Sequence, residues 1–444
     1  MRPPALAACV LVVCAGVARA DGLSPADLAR KNEGSHLTGV PLVAYSVDFG
    51  FGVGVRGYYF WNGRRDDARF AYTPYLHRIF LQTFATTGGA QFHWLDYDAP
   101  EIFESPYRIR SSLLIARNTD AAYYGFGDAG RTLRFPGSPD GFRSYDDYRA
   151  ALRRVDESTG EAYTKYNALD ALRPVFLLGV ERSFFGKRLR VLGGIGAAYV
   201  RIGDYTGTRV DAVDAAGAEV RAVQAKTKLQ EDCDAGLIYG CDGGRDHFLR
   251  LAIAFDTRDF EPDPNRGVFA DLELDTATVA LGGEYTYAKA LGAVRGWWSP
   301  FPEHADLVLA GRVLAQWQSR KTPFFAMPIM PFTEDPRYGM GGHRTMRGFR
   351  QDRFIGNFEA LANAEIRWTF ARMTVKRQKF AFIAAPFFDY GRAFDRISEA
   401  TFRSWLPSYG GAFRVSWNLS TIGTFEYGIS REGTGFYANF GHMF

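Results

Sequence analysis

Between residues 358 and 370 the sequence alternates without a break. Phe358, Ala360, Ala362, Ala364, Ile366, Trp368 and Phe370 take the even positions, while Glu359, Asn363, Glu365 and Arg367 fall on odd ones. Successive strand residues point to opposite faces, so this segment carries one apolar face and one charged face. A soluble sandwich would bury the first and wet the second. A membrane barrel turns the first to lipid and the second to a lumen. The pattern recurs. Leu249, Leu251, Ile253 and Phe255 oppose Arg250, Asp256 and Arg258, and Val268, Ala270, Leu272 and Leu274 oppose Asp271, Glu273 and Asp275. Lys289 and Arg295 share a parity facing away from Ala288, Ala290 and Val294. A basic residue facing lipid at mid-membrane costs about 2–4 kcal/mol, so these groups are expected to point inward.

The first twenty residues favour the membrane reading. Arg2 stands near the start, an apolar stretch runs from Ala5 to Ala18, and Ala18-Arg19-Ala20 precedes Asp21. This fits a cleavable secretory signal over 1–20, with an apolar stretch too short to span a bilayer. A buried N-terminal helix is the alternative. Cys14 raises lipoprotein processing, but Val13 before it is bulkier than the small residue usual there. Beyond the leader no apolar run is long enough for a helical span. With 37 Phe, 23 Tyr and 48 Gly, the composition suits a large all-β chain. Cys9 and Cys14 belong to the leader, which leaves Cys233 and Cys241 to form one disulfide in an oxidising compartment. A net charge of +4 suggests no nucleic-acid partner.

Alternation and turn residues place strands at 41–48, 51–61, 68–86, 89–97, 106–117, 173–184, 188–202, 247–257, 267–278, 284–298, 305–318, 358–370, 379–391, 409–419, 422–431 and 435–444. The fold class expected is therefore all-β, a transmembrane antiparallel barrel of about sixteen strands over 41–444. Residues 21–40 form a short periplasmic segment before it. With both termini periplasmic, the long connections 118–172, 203–246, 319–357 and 392–408 all fall outside. Short turns at 185–187, 299–304 and 371–378 fall inside, which is the asymmetry of bacterial barrels. The early strands are less regular, with His77 and Arg78 adjacent, and 145–170 has room for a short outer helix. At the C-terminus Phe436, Ala438, Phe440, His442 and Phe444 share one face. A terminal aromatic on an alternating strand looks like the signal read by the outer-membrane assembly machinery, and His442 departs from its apolar preference. An ordinary edge strand ending in Phe is the alternative.

Four local patterns in 250–444 together resemble the bacterial surface antigen superfamily, which includes the BamA-like assembly factors, the two-partner secretion transporters and organellar relatives. Met346-Arg347-Gly348-Phe349 resembles the family's Arg-Gly-aromatic loop, and Asn363-Ala364-Glu365-Ile366-Arg367 resembles the strand after it. Phe387-Phe388-Asp389-Tyr390-Gly391 is similar to the next strand. Asp256-Thr257-Arg258-Asp259 with Pro264-Asn265-Arg266-Gly267 is similar to a periplasmic turn. The resemblance implies that the long outer loop folds back into the lumen, with Arg347, Gly348 and Phe349 at its tip. Arg347 would then pair with Asp389, with Glu365 close by and Gly391 on the same strand as Asp389. The residues support this physically. Both carboxylates have inward parity, guanidinium offers a planar donor fork that stays charged when dehydrated, and Gly348 permits a tight turn. A solvated loop arginine is the alternative.

Family members active in assembly or secretion carry periplasmic POTRA modules, for which 21–40 is too short, so the chain looks like a barrel-only branch. No catalytic set, metal site or cofactor is expected, because the seven histidines are scattered and no nucleophile–base pair stands out. Glu231, Asp232, Asp234, Asp242 and Asp246 surround the cysteines and suit a divalent cation or cation-bridged lipopolysaccharide; a solvated acidic loop is the plainer reading. Three functions stay open: a barrel that helps insert or translocate polypeptide or lipid at the outer membrane, a passive or gated pore, and a structural surface antigen. Expected partners are outer-membrane lipid and lipopolysaccharide, the outer-membrane assembly machinery, and a separately encoded periplasmic protein.

Overall fold

The computed structural model describes residues 28, 31–46, 50–71, 73–261, 263–301, 306–330, 339–375, 378–401, 404–417 and 421–444. The leader lies outside them. Sixteen strands form one antiparallel sheet in which each strand pairs with its neighbours in the order of the chain. The first five are β1 (Ser35–Ser46), β2 (Gly50–Trp61), β3 (His77–Thr86), β4 (Gln91–Ala99) and β5 (Tyr107–Ala122). Three short strands follow in an outer connection: β6 (Leu133–Phe135), β7 (Ser138–Phe142) and β8 (Glu161–Ala162). The sheet resumes with β9 (Ala168–Phe184) and β10 (Leu189–Gly203), then yields to β11 (Arg209–Val213) and β12 (Glu219–Gln224). It continues through β13 (Gly243–Asp256), β14 (Gly267–Ala277), β15 (Tyr287–Trp298) and β16 (Leu307–Gln318). The last five are β17 (Phe358–Val375), β18 (Gln378–Phe394), β19 (Leu406–Trp417), β20 (Thr421–Ser430) and β21 (Gly433–Phe440).

Charge placement is inverted relative to a soluble protein. Leu251, Ile253, Leu272, Val294, Val313, Ile366, Trp368 and Phe370 are exposed, whereas Arg250, Asp271, Glu273, Asp275, Lys289, Arg295, Arg312, Glu359, Glu365 and Arg367 are buried. An apolar exterior over a charged interior is the signature of a barrel wall facing lipid. The sheet curls round a lumen, so that loop residues of the first half meet the last strands: the amide of Tyr145 donates to the carbonyl of Glu432 at 2.8 Å.

Several strand ends differ from the alternation reading. β1 starts at Ser35, inside the segment set aside as periplasmic. Residues 68–71 are a 3-10 turn, and β3 begins only at His77. β17 and β18 run on to Val375 and from Gln378, so their connection shrinks from 371–378 to 376–377. At β1, β17 and β18 backbone pairing outlasts the polar–apolar period, whereas before His77 the alternation was read into residues that do not pair as a strand.

The outer connections are folded. A helix at Tyr145–Leu152, capped by Ser144, buries Tyr148 and Leu152 in an aromatic cluster with Tyr124, Phe135 and Tyr166. β12 pairs with β11 and, in parallel, with β8, which joins the connections 123–167 and 204–242 into one cap. A second helix, Lys228–Asp234, ends at the Cys233–Cys241 disulfide, whose Cα atoms are 6.2 Å apart.

Candidate functional site: the lumen anchor

The connection after β16 turns inward. Phe324, Phe325 and Met327 enter a buried cluster with Ile238, Phe248 and Tyr287, and Lys289 Nζ donates to the carbonyls of Ala326, at 2.6 Å, and Ile329. Further on, Met330, Met340, Met346, Phe349 and Phe354 pack on Leu291, Leu314 and Leu361 of the barrel wall. Leu314 and Leu361 stand between polar lumen residues, Arg312 and Gln316 on one strand and Glu359 and Asn363 on the next, and Leu291 follows Lys289 on the same face. Their place among charged residues is the sequence signal that something apolar fills the lumen.

Arg347 sits at the centre with its side chain wholly buried. Its Nε and Nη2 donate to the two oxygens of Asp389 at 3.0 and 2.8 Å, and its own backbone amide reaches Asp389 Oδ2 at 3.0 Å. Nη1 donates to Glu365 Oε1 at 2.7 Å and Glu426 Oε1 at 3.0 Å. The Phe387 ring lies under the guanidinium, 3.3 Å from its carbon. Arg414 donates to both oxygens of Glu365 at 2.9 and 2.8 Å and to Glu426 at 3.2 Å, and Arg367 Nε reaches Glu365 at 2.9 Å. Three guanidiniums thus face three carboxylates: β17, β18 and β20 supply Glu365, Asp389 and Glu426, β17 and β19 supply Arg367 and Arg414, and the loop supplies Arg347. Asn363 fixes the geometry by donating to Asp389 Oδ1 at 2.8 Å and to the Thr345 carbonyl at 2.7 Å. A buried charge group of this kind holds together only when each member is met by several partners.

Gly348 lets the loop backbone lie on the wall. Its φ is +91°, and a Cβ there would stand 2.8 Å from the carbonyl carbon of Ile429. Its amide donates to Tyr437 Oη at 2.9 Å, and its carbonyl accepts from Ser430 Oγ at 2.8 Å. At Gly391 a Cβ would meet Met340 Cε at 2.6 Å and Met346 Sδ at 2.8 Å, so the absent side chain is the seat of two loop methionines. Phe349 is buried edge-on to Phe354, 5.1 Å between ring centres.

The structure thus brings Arg347, Gly348, Phe349, Glu365, Asp389 and Gly391 to one place. Sequence reasoning did not single out Arg414 or Glu426, nor a second anchor. Arg353 donates to both oxygens of Glu432 at 2.8 and 2.9 Å, lies over Tyr124 and reaches the Gly130 carbonyl. That group ties the lumen loop to the outer cap. Beside it, burial pushes the Asp352 carboxyl up to about 6, against hydrogen bonds from Gln351 and the Gly339 amide.

The C-terminal reading requires correction. Phe436 is exposed, as a lipid-facing aromatic would be, and the backbone of Phe440 pairs with Gly423. The strand stops there. At Gly441 φ is +82°, and the tail turns into the lumen. His442 Nε2 is 2.8 Å from Asp263 Oδ1, and the Phe444 ring packs with Phe269, Trp297 and Val308, between Arg312 and Arg367. Arg367 Nη2 donates to the Phe444 carbonyl at 2.9 Å. Phe444 therefore does not share the face of Phe436, because a turn after Phe440 breaks the two-residue period.

The acidic residues near the disulfide do not converge. Asp232 accepts from Tyr123 Oη and Lys228 Nζ, both at 2.8 Å, while Glu231 accepts from Tyr166 Oη at 2.8 Å. Asp246 accepts from Tyr287 Oη at 2.8 Å, and Asp234 pairs with Lys226. Among the described residues no group of His, Cys, Asp and Glu is arranged to hold a metal ion.

Residues 206–444 match the family described as the Omp85 superfamily domain. The chain belongs to the Omp85 superfamily. Residues 17–76 separately match a domain of unknown function, DUF5982. Among solved structures, CdiB from Escherichia coli is similar over 92% of this chain and 62% of its own, with 9% identity and a TM-score of 0.51, a likeness of fold. BamA from Haemophilus ducreyi lacking POTRA domains 1-3 aligns over 93% of this chain and 70% of its own, with 12% identity and a TM-score of 0.47. No curated protein matches the chain. Membership of this family indicates an outer-membrane β-barrel of a Gram-negative bacterium. Among the described residues no helix is long and apolar enough to cross a membrane, which leaves crossing by strands untouched.

Proposed function

We propose that this Omp85-type barrel assists the insertion or translocation of polypeptide or lipid at the outer membrane, with the 319–357 connection as its movable plug. The observation that carries the reading is the Arg347 anchor. A loop that folds into the lumen and is held there by a few separable contacts, with the Arg347 charge group at their centre, is suited to release, whereas a permanently open pore has no use for it. The reading extends to partners: outer-membrane lipid and lipopolysaccharide around the wall, the assembly machinery that places the barrel, and a separately encoded periplasmic protein that delivers clients to the short-turn end.

The test is reconstitution in liposomes of outer-membrane lipid. An unfolded β-barrel client is added from the inner-turn side, and its acquisition of heat-modifiable, protease-resistant form is timed. Acceleration over empty liposomes that disappears on deleting 335–352 or substituting Arg347 supports the reading. Equal rates with and without the protein, for both an unfolded barrel client and a labelled lipid followed between leaflets, would overturn it.

A further inference from the structure

A cavity of about 400 Å³ lies in the lumen away from the anchor, walled by strands of the first half, by Pro74, Tyr75, Phe260 and Glu261 of the connections after β2 and β13, and at one edge by Thr421, Ile422 and Gly441. Its size is that of a small-ligand site, for which the usual range is about 300–1,000 Å³. Both connections belong to the short-turn end, so the cavity faces the side on which a periplasmic client or lipid arrives.

The lining is two-natured. One part is apolar, with Phe60, Leu177, Leu192 and Phe248. The other is charged, and its charges are unequally used. Asp98 accepts from Arg108 Nε and Nη2 at 2.8 and 2.6 Å and from Tyr75 Oη at 2.5 Å. Glu261 accepts from Arg108 Nη1 at 3.1 Å through both oxygens. Burial alone would raise the Glu261 carboxyl; Arg108, with Arg190 and Arg258, holds it well below its ordinary value, so it is an ion already matched. Arg78 is different. Its Nε is closed off and has no hydrogen-bond partner, its Nη2 stands 3.9 Å from Asp98, beyond hydrogen-bond distance, and its carbon lies 5.3 Å from the centre of the Tyr75 ring. Asp98 and Glu261 are taken and Asp96 accepts from Trp94 Nε1, while Arg78 keeps donor capacity beside an apolar wall. Such a surface is completed by an anion joined to a hydrocarbon chain, because the anion fills the donor fork and the chain covers the aromatic and leucine side.

We infer that this cavity is a binding site for a single-chain anionic amphiphile, its head on Arg78 and its tail against Leu177, Leu192 and Phe248. The site does not depend on release of the Arg347 loop. It stands or falls apart from the plug.

The experiment is calorimetric titration of the full barrel in phosphatidylcholine nanodiscs, with empty-nanodisc heats subtracted. Octyl phosphate should bind saturably at one site per barrel. Octyl glucoside, with a similar tail and no charge, and inorganic phosphate, with the charge and no tail, should each bind at least tenfold more weakly. Arg78→Gln should weaken octyl phosphate at least tenfold, and Leu192→Trp, which fills the apolar part, should do the same; heat-modifiable migration reports that both variants remain folded barrels. Octanoate tested beside octyl phosphate distinguishes a fatty acid from a phospholipid-derived source, and tight binding of either supports the site. Absence of saturable binding by both, equal affinity for inorganic phosphate or octyl glucoside, or undiminished binding in a folded Arg78→Gln barrel would overturn the inference.

Discussion

Removing one member of a buried charge group leaves the others dehydrated and unmatched, at a cost of about 3–5 kcal/mol. Arg347 is the member with most hydrogen bonds, since its fork and its amide serve Asp389 while Nη1 joins Glu365 to Glu426. Arg347→Ala should therefore free the loop locally by about that amount, seen as new protease cleavage within 339–357 while the barrel keeps its heat-modifiable migration. Arg347→Lys should rescue little, because a single ammonium cannot span the two oxygens of Asp389 and Glu365 at once. Equal protease resistance of parent and Arg347→Ala would count heavily against an anchoring role. Arg347, Glu365 and Asp389 were legible in the sequence because local patterns of loop and strand mark them. Arg414 and Glu426 carry no such mark. Strand alternation assigns them to the inner face, but only the register of β19 and β20 brings them to the depth of Arg347.

For whole strands and loops, alternation was a good guide to the wall and a poor one to what fills it. The sixteen barrel strands were visible because lipid and lumen impose opposite demands on successive residues. The outer cap was not, because β6–β8 and β11–β12 are short and supported by aromatic packing instead of a polar–apolar period. The disulfide loop has a part that spacing did not suggest. Tyr239 and Gly240, between the two cysteines, meet the first arm of the plug: the Phe324 amide donates to the Tyr239 carbonyl at 2.8 Å, and Tyr239 bridges Pro323. Closing so small a ring stabilises it by about 2–3 kcal/mol on the chain-entropy argument. The double variant Cys233→Ser, Cys241→Ser should speed hydrogen exchange of the Phe324 and Ala326 amides before it affects those of β16. Unchanged exchange at Phe324 would show that the disulfide does not brace the plug. The C-terminal tail is a separate element. Since Phe444 packs in the lumen, Phe444→Ala should lower the temperature of the heat-modifiable transition, whereas Phe436→Ala, on the lipid side, should leave it nearly unmoved. The reverse order would return Phe444 to the lipid-facing row.

At the scale of the molecule, the wall and the plug are held by different forces, which sets the conductance to be expected. A sixteen-stranded wall encloses space enough for water. Within it the plug has an apolar arm at Phe324–Met327, the Arg347 charge group and the Arg353–Glu432 tie to the cap. These three contacts act in series along one loop, so full opening requires all of them to fail together and should be rare and brief. The purified barrel in planar bilayers should therefore show a small background with short, large openings. Arg347→Ala removes one restraint and should raise their frequency while leaving their amplitude unchanged, because amplitude belongs to the wall. Deleting 335–352 removes the charge group but leaves the apolar arm and Arg353, and should give longer openings of the same size. A steady large conductance in the parent, unaltered by that deletion, would mean that the lumen is open past the plug and would favour a simple pore. Silence in both parent and deletion would instead favour a structural role, because a shortened loop that has lost its charge anchor and keeps only the apolar arm and Arg353 should open a transport path at least at times.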